Sequence, residues 1–459
     1  MSQCVGVPAV PLLDVATLNP RPFGIPARDD DLVTFVPMKA VEAESGVIDV
    51  SDVRPWHAVK KGFTPFQDGD VIFAKITPCM ENGKFAVARG LKHGRAAGST
   101  EFHVLRPSER LLPSYLLHFM FTRNVRGRAK RSMRGAAGQL RVPPEFFGTI
   151  ALPLPSIDGQ RAIVARIEEQ FSRLDAGVAA LKRVQAHLKR YRAAVLKAAC
   201  EGKLVPTEAE LARREGRDYE TGAELLARIL AERRARWSGR GKYQEPAGAD
   251  TAGMPELPEG WAWATVEQLL IDKLVNGVSI KGTDDFTGIR ALRLNAMTDG
   301  GFNYEMARRL PLSASDVAGI IIAAGDFFVS RGNGSLHLVG RGSLAQEPPE
   351  PTIFPDTMIR ARLSDRVRIW VAMLWPSRLV RVQIEGRAKT TAGIYKIAQP
   401  QLESICLPVP PLAEQLRIVA EVERRLSVAE GAEAVAEANL RRAGRLRQAV
   451  LQRAFGGNA

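Results

Sequence analysis

Two stretches of the chain carry apolar residues at alternating four- and three-residue spacings. In the first, Ile167, Phe171, Leu174, Val178, Leu181, Leu188 and Val195 recur, with Gln185 and Arg192 filling the missing steps. In the second, Val422, Leu426, Ala429, Ala436, Leu440, Ala443 and Val450 recur, with Glu433 and Arg447 as the breaks. A heptad seam of this kind predicts long helices with one apolar stripe. A continuous helix over 164–200 would be roughly 55 Å long at ~1.5 Å per residue. Upstream of each seam the pattern changes. Residues 71–73, 85–87 and 102–105 are short β-type runs set between Gly, Pro and Asn, and 111–120 has helical character. Residues 259–405 show the same mixture. Strand–helix alternation of the doubly wound kind is missing, so each upstream region reads as a compact α+β domain.

The chain also contains itself twice. Shifted by 255 residues, 150–204 lies over 405–459 without a gap, and 18 of the 55 pairs are identical. Leu152-Pro153-Leu154-Pro155 meets Leu407-Pro408-Val409-Pro410, Gln160 meets Gln415, and Gly202 meets Gly457. Further upstream the match is fainter. Gly138 meets Gly393, and one residue of slip aligns Gly69-Asp70 with Gly325-Asp326, each before an apolar run.

A long helix with one apolar stripe needs a partner, and its own duplicate is the nearest one. Antiparallel packing of the two is expected, giving pseudo-twofold symmetry with a globular domain at each end of a rod. By repeat Glu433 matches Val178 and Gln185 matches Leu440, so the polar breaks of the two seams are not expected to coincide. The predicted fold class is α+β: two globular domains, 1–152 and 259–407, separated by a long antiparallel coiled coil built from 153–204 and 408–459. Residues 205–258 form the bridge. Its first part, 207–237, is helix-prone, and 238–260 reads as linker.

Composition narrows the partner. Lys and Arg total 64 against 50 Asp and Glu, a net charge of +14, which points to a polyanion, nucleic acid first. The longest tempting apolar stretch, 320–324, is broken at once by Gly325-Asp326, far short of the roughly 18–20 residues a bilayer needs. Met1-Ser2-Gln3-Cys4 lacks a basic signal-peptide start, and Cys4, Cys79, Cys200 and Cys406 form no CxxC pair, which together suggest a reducing cytoplasm. The chain has neither a GxxxxGK[ST] loop nor HExxH, and its six histidines show no ligand spacing. No metal or cofactor is therefore assigned to it. Glu201-Gly202-Lys203 lacks the upstream acid of a metal-dependent nuclease. Asn19-Pro20-Arg21-Pro22-Phe23 and Val142-Pro143-Pro144-Glu145-Phe146 miss the base-pocket pattern of an adenine methyltransferase. The chain reads as non-catalytic.

What remains is basic surface. Arg123, Arg126, Arg128, Lys130, Arg131, Arg134 and Arg141 fall in one stretch without an acid, and Arg387, Lys389 and Lys396 occupy the corresponding region of the second copy. Each run leads into a Gly-containing loop, Gly135–Arg141 or Thr390–Lys396, where Gln139, Tyr395 and Lys396 carry groups able to meet base edges. A second loop, Lys75 to Lys84, joins two strands, and its counterpart begins at Ser330. Asn82-Gly83 and Asn333-Gly334 are hairpin-turn signals, which leaves Lys75, Lys84 and Arg331 for phosphate or base contact. These features alone leave open a tandem nucleic-acid-binding scaffold, one acting on RNA included, and a stand-alone nuclease.

An ordered set of motifs is more specific. It runs from Gly69-Asp70 through Lys75-Ile-Thr-Pro-Cys-Met-Glu-Asn-Gly-Lys84 to the two Leu-Pro-x-Pro…Gln…Ile-Val helix starts, Gly202-Lys203-Leu204-Val205-Pro206 and Leu257-Pro258-Glu259-Gly260-Trp261. In this order, over nearly the whole chain, they resemble the specificity subunit of type I restriction-modification systems. The resemblance implies two target-recognition domains, each reading one half of a split, asymmetric site in double-stranded DNA. It implies helices that dock two methyltransferase subunits, with Gln160, Ile163, Gln415 and Ile418 as the partner interface. Motor/nuclease subunits complete the assembly, and S-adenosylmethionine, ATP and Mg²⁺ belong to the partner subunits, with methyl transfer to adenine N6 in the partner chain.

Overall fold

In the computed structural model the described residues are 7–21, 28–136, 138–239, 241–279, 288–298, 301–313, 315–391 and 393–456. Cys4, Pro22, Phe23, Ala137, Ala392 and Gly457, named above within motifs, lie outside them. The chain divides into two compact units, the first made of Met1–Val184 with Val435–Ala459, the second of Gln185–Ala434.

The first unit is built on a four-stranded sheet of β1 (Ala16–Leu18), β2 (Val71–Ala74), β3 (Phe85–Val87) and β4 (Phe102–Pro107), in the spatial order β1-β4-β2-β3. All four residues of β2 are buried. Val71 and Phe73 pack with the helix α1 (Pro113–Met120), while Ile72 and Ala74 pack with Phe66 and Ala96. Phe66 and Ala96 belong to a second sheet, in which strand Leu32–Val36 pairs in parallel with Arg95–Gly98. A strand covered on both faces reads as a continuous apolar run, as this one does. A third pairing, Ala9–Pro11 with Ala151–Pro153, joins the start of the chain to the Leu-Pro-x-Pro segment. Helix α2 (Arg123–Ser132) follows α1 and starts at Thr122, whose hydroxyl accepts the Val125 N–H at 3.4 Å.

From Ile157 the chain enters α3 (Ile157–Cys200), seven residues before the seam predicts. Within the first unit its stretch to 184 packs antiparallel on the helical residues 435–455. Ile167 shares a small cavity with Val450 and Ala454, whereas Arg447 lies over the Phe171 ring at 4.4 Å and donates to Asp175 at 3.0 Å. The seam positions Ile167, Phe171, Leu174, Val178 and Leu181 are less exposed than the residues between them, so the heptad reading holds.

The second unit repeats this plan. Its main sheet contains β5 (Val275–Asn276), β6 (Phe327–Ser330), β8 (Gly342–Leu344) and β9 (Met358–Ala361) in the order β5-β9-β6-β8, with the short β7 (Gly332–Asn333) continuing from β6. Val71 faces Leu105 and Ala74 faces Phe102 in the first unit; Phe327 faces Ala361 and Ser330 faces Met358 in the second. Every one of these positions differs by 256. The second unit likewise has a parallel pair, Ile289–Leu292 with Thr352–Ile353, and a pairing of Ala262–Thr265 with Cys406–Val409. It continues through α4 (Arg368–Leu374), α5 (Arg378–Arg387) and the hairpin β10 (Lys389–Thr391)–β11 (Ile394–Lys396) to α6 (Leu412–Phe455). The bridge also belongs to this unit. Its helix-prone part is two helices, Glu208–Glu215 and Gly222–Ala235, each opened by a Thr–Glu capping box and separated by the left-handed Gly216 (φ 65°). Residues 238–260 contain no helix or strand among those described. One expectation about the seam is corrected. Its polar breaks do meet, because Arg192 and Glu433 form an ion pair at 2.8 Å.

Buried polar groups repeat as faithfully as the strands. Asp70, 1% exposed, receives both Nε and Nη2 of Arg106 at 2.7 and 2.8 Å and the Gln67 N–H at 2.9 Å. Asp326 receives Nε of Arg362 at 2.8 Å and the Ala323 N–H at 3.0 Å. At the helix starts, Tyr115 Oη donates to the Pro153 carbonyl and Trp370 Nε1 to the Pro408 carbonyl, both at 2.7 Å. Gln160 Nε2 donates to the Pro155 carbonyl at 3.0 Å and Gln415 Nε2 to the Pro410 carbonyl at 2.9 Å. Proline breaks the ladder and leaves carbonyls to be satisfied, and side chains satisfy them. The assignment of Gln160, Ile163, Gln415 and Ile418 to a partner interface is therefore corrected. All four are buried within their own unit, at 0%, 5%, 2% and 0% exposure, and present no surface to another chain.

Candidate nucleic-acid interface

Where β2 leaves the sheet, the Lys75 N–H donates to the Glu101 carbonyl at 2.9 Å, and the Lys75 carbonyl accepts the Val142 N–H at 2.8 Å. Ile76 then bridges to Arg141. Arg134 and Arg141 exchange both backbone hydrogen bonds, at 2.9 and 2.8 Å, which closes the intervening residues into a tip. Two glycines shape that tip. Gly138 has φ +82°, and Gly135 has φ +135° with the Gln139 carbonyl 2.8 Å from where a Cβ would stand. No other residue type fits at Gly135 without displacing that carbonyl. Lys75 is half-buried, while Arg134 and Gln139 are exposed. Arg141 donates to the Glu101 carboxylate through Nε at 2.9 Å and Nη2 at 2.8 Å, and through Nη1 to the Gln139 carbonyl at 3.1 Å. Hydrogen bonding to Arg141 holds the Glu101 carboxyl below its ordinary range.

The second unit builds the same frame. The Arg331 N–H donates to the Thr357 carbonyl at 2.8 Å, and its carbonyl accepts the Ile397 N–H at 2.9 Å. Gly332 pairs with Lys396, Asn333 with Tyr395, and Lys389 with Lys396 across the hairpin. Gly393, the match of Gly138, is likewise left-handed at φ +77°. The fold thus gathers Lys75, Arg134 and Arg141 in one unit and Arg331, Lys389 and Lys396 in the other, on matching backbone. Lys389 and Lys396 are exposed, and Tyr395 is half-buried against the core. One exchange changes the charge of the cradles: Glu101 in the first stands where the second has Thr357.

Other sequence-selected residues are engaged elsewhere. Lys84 Nζ donates to the Met38 carbonyl at 2.9 Å. Arg387 Nη1 donates to the Gln383 carbonyl and its Nε to the Ser404 hydroxyl, both at 3.2 Å. On α2, Arg126 pairs with Glu44 at 2.5 Å and Lys130 with Glu81 at 2.8 Å, while Arg123 is exposed. The two Asn-Gly steps differ. Gly83 is a left-handed turn residue (φ 64°), whereas Asn333 is paired within β7, so its turn reading is corrected. Sequence reasoning passed over Glu101, Asp70–Arg106, Asp326–Arg362 and the Tyr115/Trp370 donors. Apart from Glu101, which the second copy replaces with Thr357, their shared signal was the constant offset of 255 or 256 between copies. No group of three or more His, Cys, Asp or Glu that could hold a metal ion occurs among the described residues. No described helix is long and apolar enough to cross a membrane.

No family model matches the chain. Its curated relatives include the specificity subunit of the type I restriction enzyme EcoAI from Escherichia coli, 26% identical over 90% of this chain and 76% of that protein. The EcoKI specificity subunit of Escherichia coli strain K12 is 25% identical over 93% of this chain and 82% of its own length. The curated relatives that the chain matches are type I restriction enzyme specificity subunits. A solved chain, from work on complex assembly and conformational transition of the type I R-M system, has the same fold, with a TM-score of 0.64 at 20% identity over 99% of both chains. Like them over most of its length, this chain carries one basic frame twice, with different side chains at the tips.

Proposed function

We infer that the chain is the DNA-recognition subunit of a type I restriction-modification complex and itself carries out no chemistry. Each unit reads one half of a bipartite, asymmetric site in double-stranded DNA, the recognition regions being 1–152 and 259–407. The observation that carries this reading is the repeated cradle: three basic residues on matching backbone and a glycine-turned tip, built twice in one chain. Lys75, Arg123, Arg134, Arg331, Lys389 and Lys396 supply phosphate contacts, and the tips supply base contacts. Two methyltransferase subunits and the motor/nuclease subunits dock on the chain and bring S-adenosylmethionine, ATP and Mg²⁺ to it in the cytoplasm. Exposed Leu416 and Val428, at 66% and 68% on α6, are apolar positions for such docking.

Methylome sequencing of a host with and without this chain tests the reading. A bipartite methylated-adenine motif that appears only with the chain is the expected result. An unchanged methylome, or turnover of methyl donor by the purified chain alone, overturns it.

A further inference from the structure

The exchange of Glu101 for Thr357 gives the two tips different mechanics. In the first unit all three nitrogens of the Arg141 guanidinium are engaged within the chain. Two of its nitrogens face the Glu101 carboxylate at 2.8–2.9 Å, and the third holds the Gln139 carbonyl at 3.1 Å. The same carbonyl is flanked on its other side by Gly135, and the Gln139 N–H is already bonded to the Ala136 carbonyl at 3.0 Å. The backbone of Gln139 is thus satisfied and pinned, and its exposed side-chain amide is the group left to meet a ligand. An amide presents a donor and an acceptor side by side, the pattern that matches N6 and N7 of adenine in the major groove. Arg134, across the hairpin, is exposed and has no ion-pair partner among the described residues.

We propose that Glu101 and Arg141 form a clamp that positions Gln139 to read an adenine in the first half-site, and that Arg141 is a positioning residue while Arg134 is the phosphate contact. This rests on the reading given under Proposed function. The second unit has no such clamp. Lys396 replaces Arg141, Thr357 replaces Glu101, and the tip position matching Gln139 is Ile394, 44% exposed and without a hydrogen-bonding side chain. Fixing a bidentate amide needs a rigid support, because a tip free to shift loses one of its two bonds.

The test uses the chain assembled with its methyltransferase subunits, measuring both the salt dependence of DNA binding and the methylated motif. Arg134→Ala is expected to reduce the slope of log K against log salt by about one, with the motif unchanged. Arg141→Ala is expected to leave the slope unchanged and to relax one position of the first half-motif about 5- to 150-fold. Glu101→Ala relaxes the same position and steepens the slope by about one, since the released Arg141 becomes available to a phosphate. Gln139→Ala, which leaves the clamp intact, relaxes that same position without altering the slope. Arg141→Ala acting like Arg134→Ala, or Gln139→Ala relaxing no position or a different one, overturns the proposal. If Arg141→Ala prevents folding, Gln139→Ala and Glu101→Ala decide it. A wild-type complex without any bipartite motif instead overturns the functional reading itself.

Discussion

The two cradles share their backbone far more closely than their side chains. Lys75 and Arg331 sit between the same two carbonyl and amide partners, and the Arg134–Arg141 and Lys389–Lys396 pairs close the same hairpin. Yet one tip is locked by a carboxylate and the other carries two exposed lysines. The frame is set by buried pairings that tolerate little change, whereas tip side chains face solvent and change at little cost to stability.

The comparison breaks most visibly by exchanging one unit's recognition region. Replacing 259–405 with the equivalent region of a relative is expected to change one half of the methylated motif completely and leave the other intact. Changes in both halves, or in neither, would show that the cradles do not read independently. Next in size is the repeated buried ion pair. Asp70→Ala leaves Arg106 without its carboxylate, and Asp326→Ala does the same to the buried Arg360 while Arg362 keeps only Asp272 at 3.8 Å, each at a cost of about 3 kcal/mol by denaturant unfolding. A large loss in only one unit would mean that the pair is duplicated in geometry but not in energy.

The helix-start glutamines sharpen the contrast. Gln160 bonds the Arg110 and Pro155 carbonyls and the Leu112 N–H, so Gln160→Ala strands three part-buried groups and costs about 2 kcal/mol. Gln415→Ala removes the single bond to the Pro410 carbonyl and costs about 1 kcal/mol. The smallest effect is a pH dependence confined to the first unit. Burial, aided by the Arg447 and Arg89 charges, pushes the His118 imidazole down to about 4. Between its ordinary value of 6.5 and about 4, the unfolded chain takes up a proton that the folded one does not. Stability of the first unit therefore falls as pH falls through that window, approaching about 1.4 kcal/mol per pH unit. Its match in the second unit is Met373. Protection factors over 113–120, taken relative to the intrinsic exchange rate at each pH, should fall on acidification, those over 368–374 should lack this component, and His118→Met should remove it.

The long helices are legible in the sequence because neither strands nor loops sustain alternating three- and four-residue apolar spacings over several turns, and the seam from Ile167 to Val195 does so. The β-rich regions are only partly legible. Strands such as Val71–Ala74 are short and buried on both faces, so they show no alternation and their partners cannot be read off. The charged run 123–141 points to the right neighbourhood but not to orientation. Arg126 and Lys130 turn to Glu44 and Glu81, and Lys84 turns to a backbone carbonyl, because partners distant in sequence decide where a flexible cation lies. The Leu-Pro-x-Pro…Gln motif is plain as a repeat, yet its role is intramolecular: a buried amide supplying a proline carbonyl leaves no trace that distinguishes it from a surface contact.

That motif also shows where a natural crossover can fall. The Pro153 and Pro408 carbonyls are served by Tyr115 and Trp370, from within the recognition regions, whereas the Pro155 and Pro410 carbonyls are served by Gln160 and Gln415, from the helices. A genetic joint between the two prolines passes each donor on together with its acceptor. The other bonds of Gln160 go to main-chain groups of Arg110 and Leu112, which any grafted region supplies. Recombination between these prolines can therefore trade one half of a DNA specificity for another without stranding a buried polar group, so new target combinations can arise by shuffling rather than by stepwise mutation.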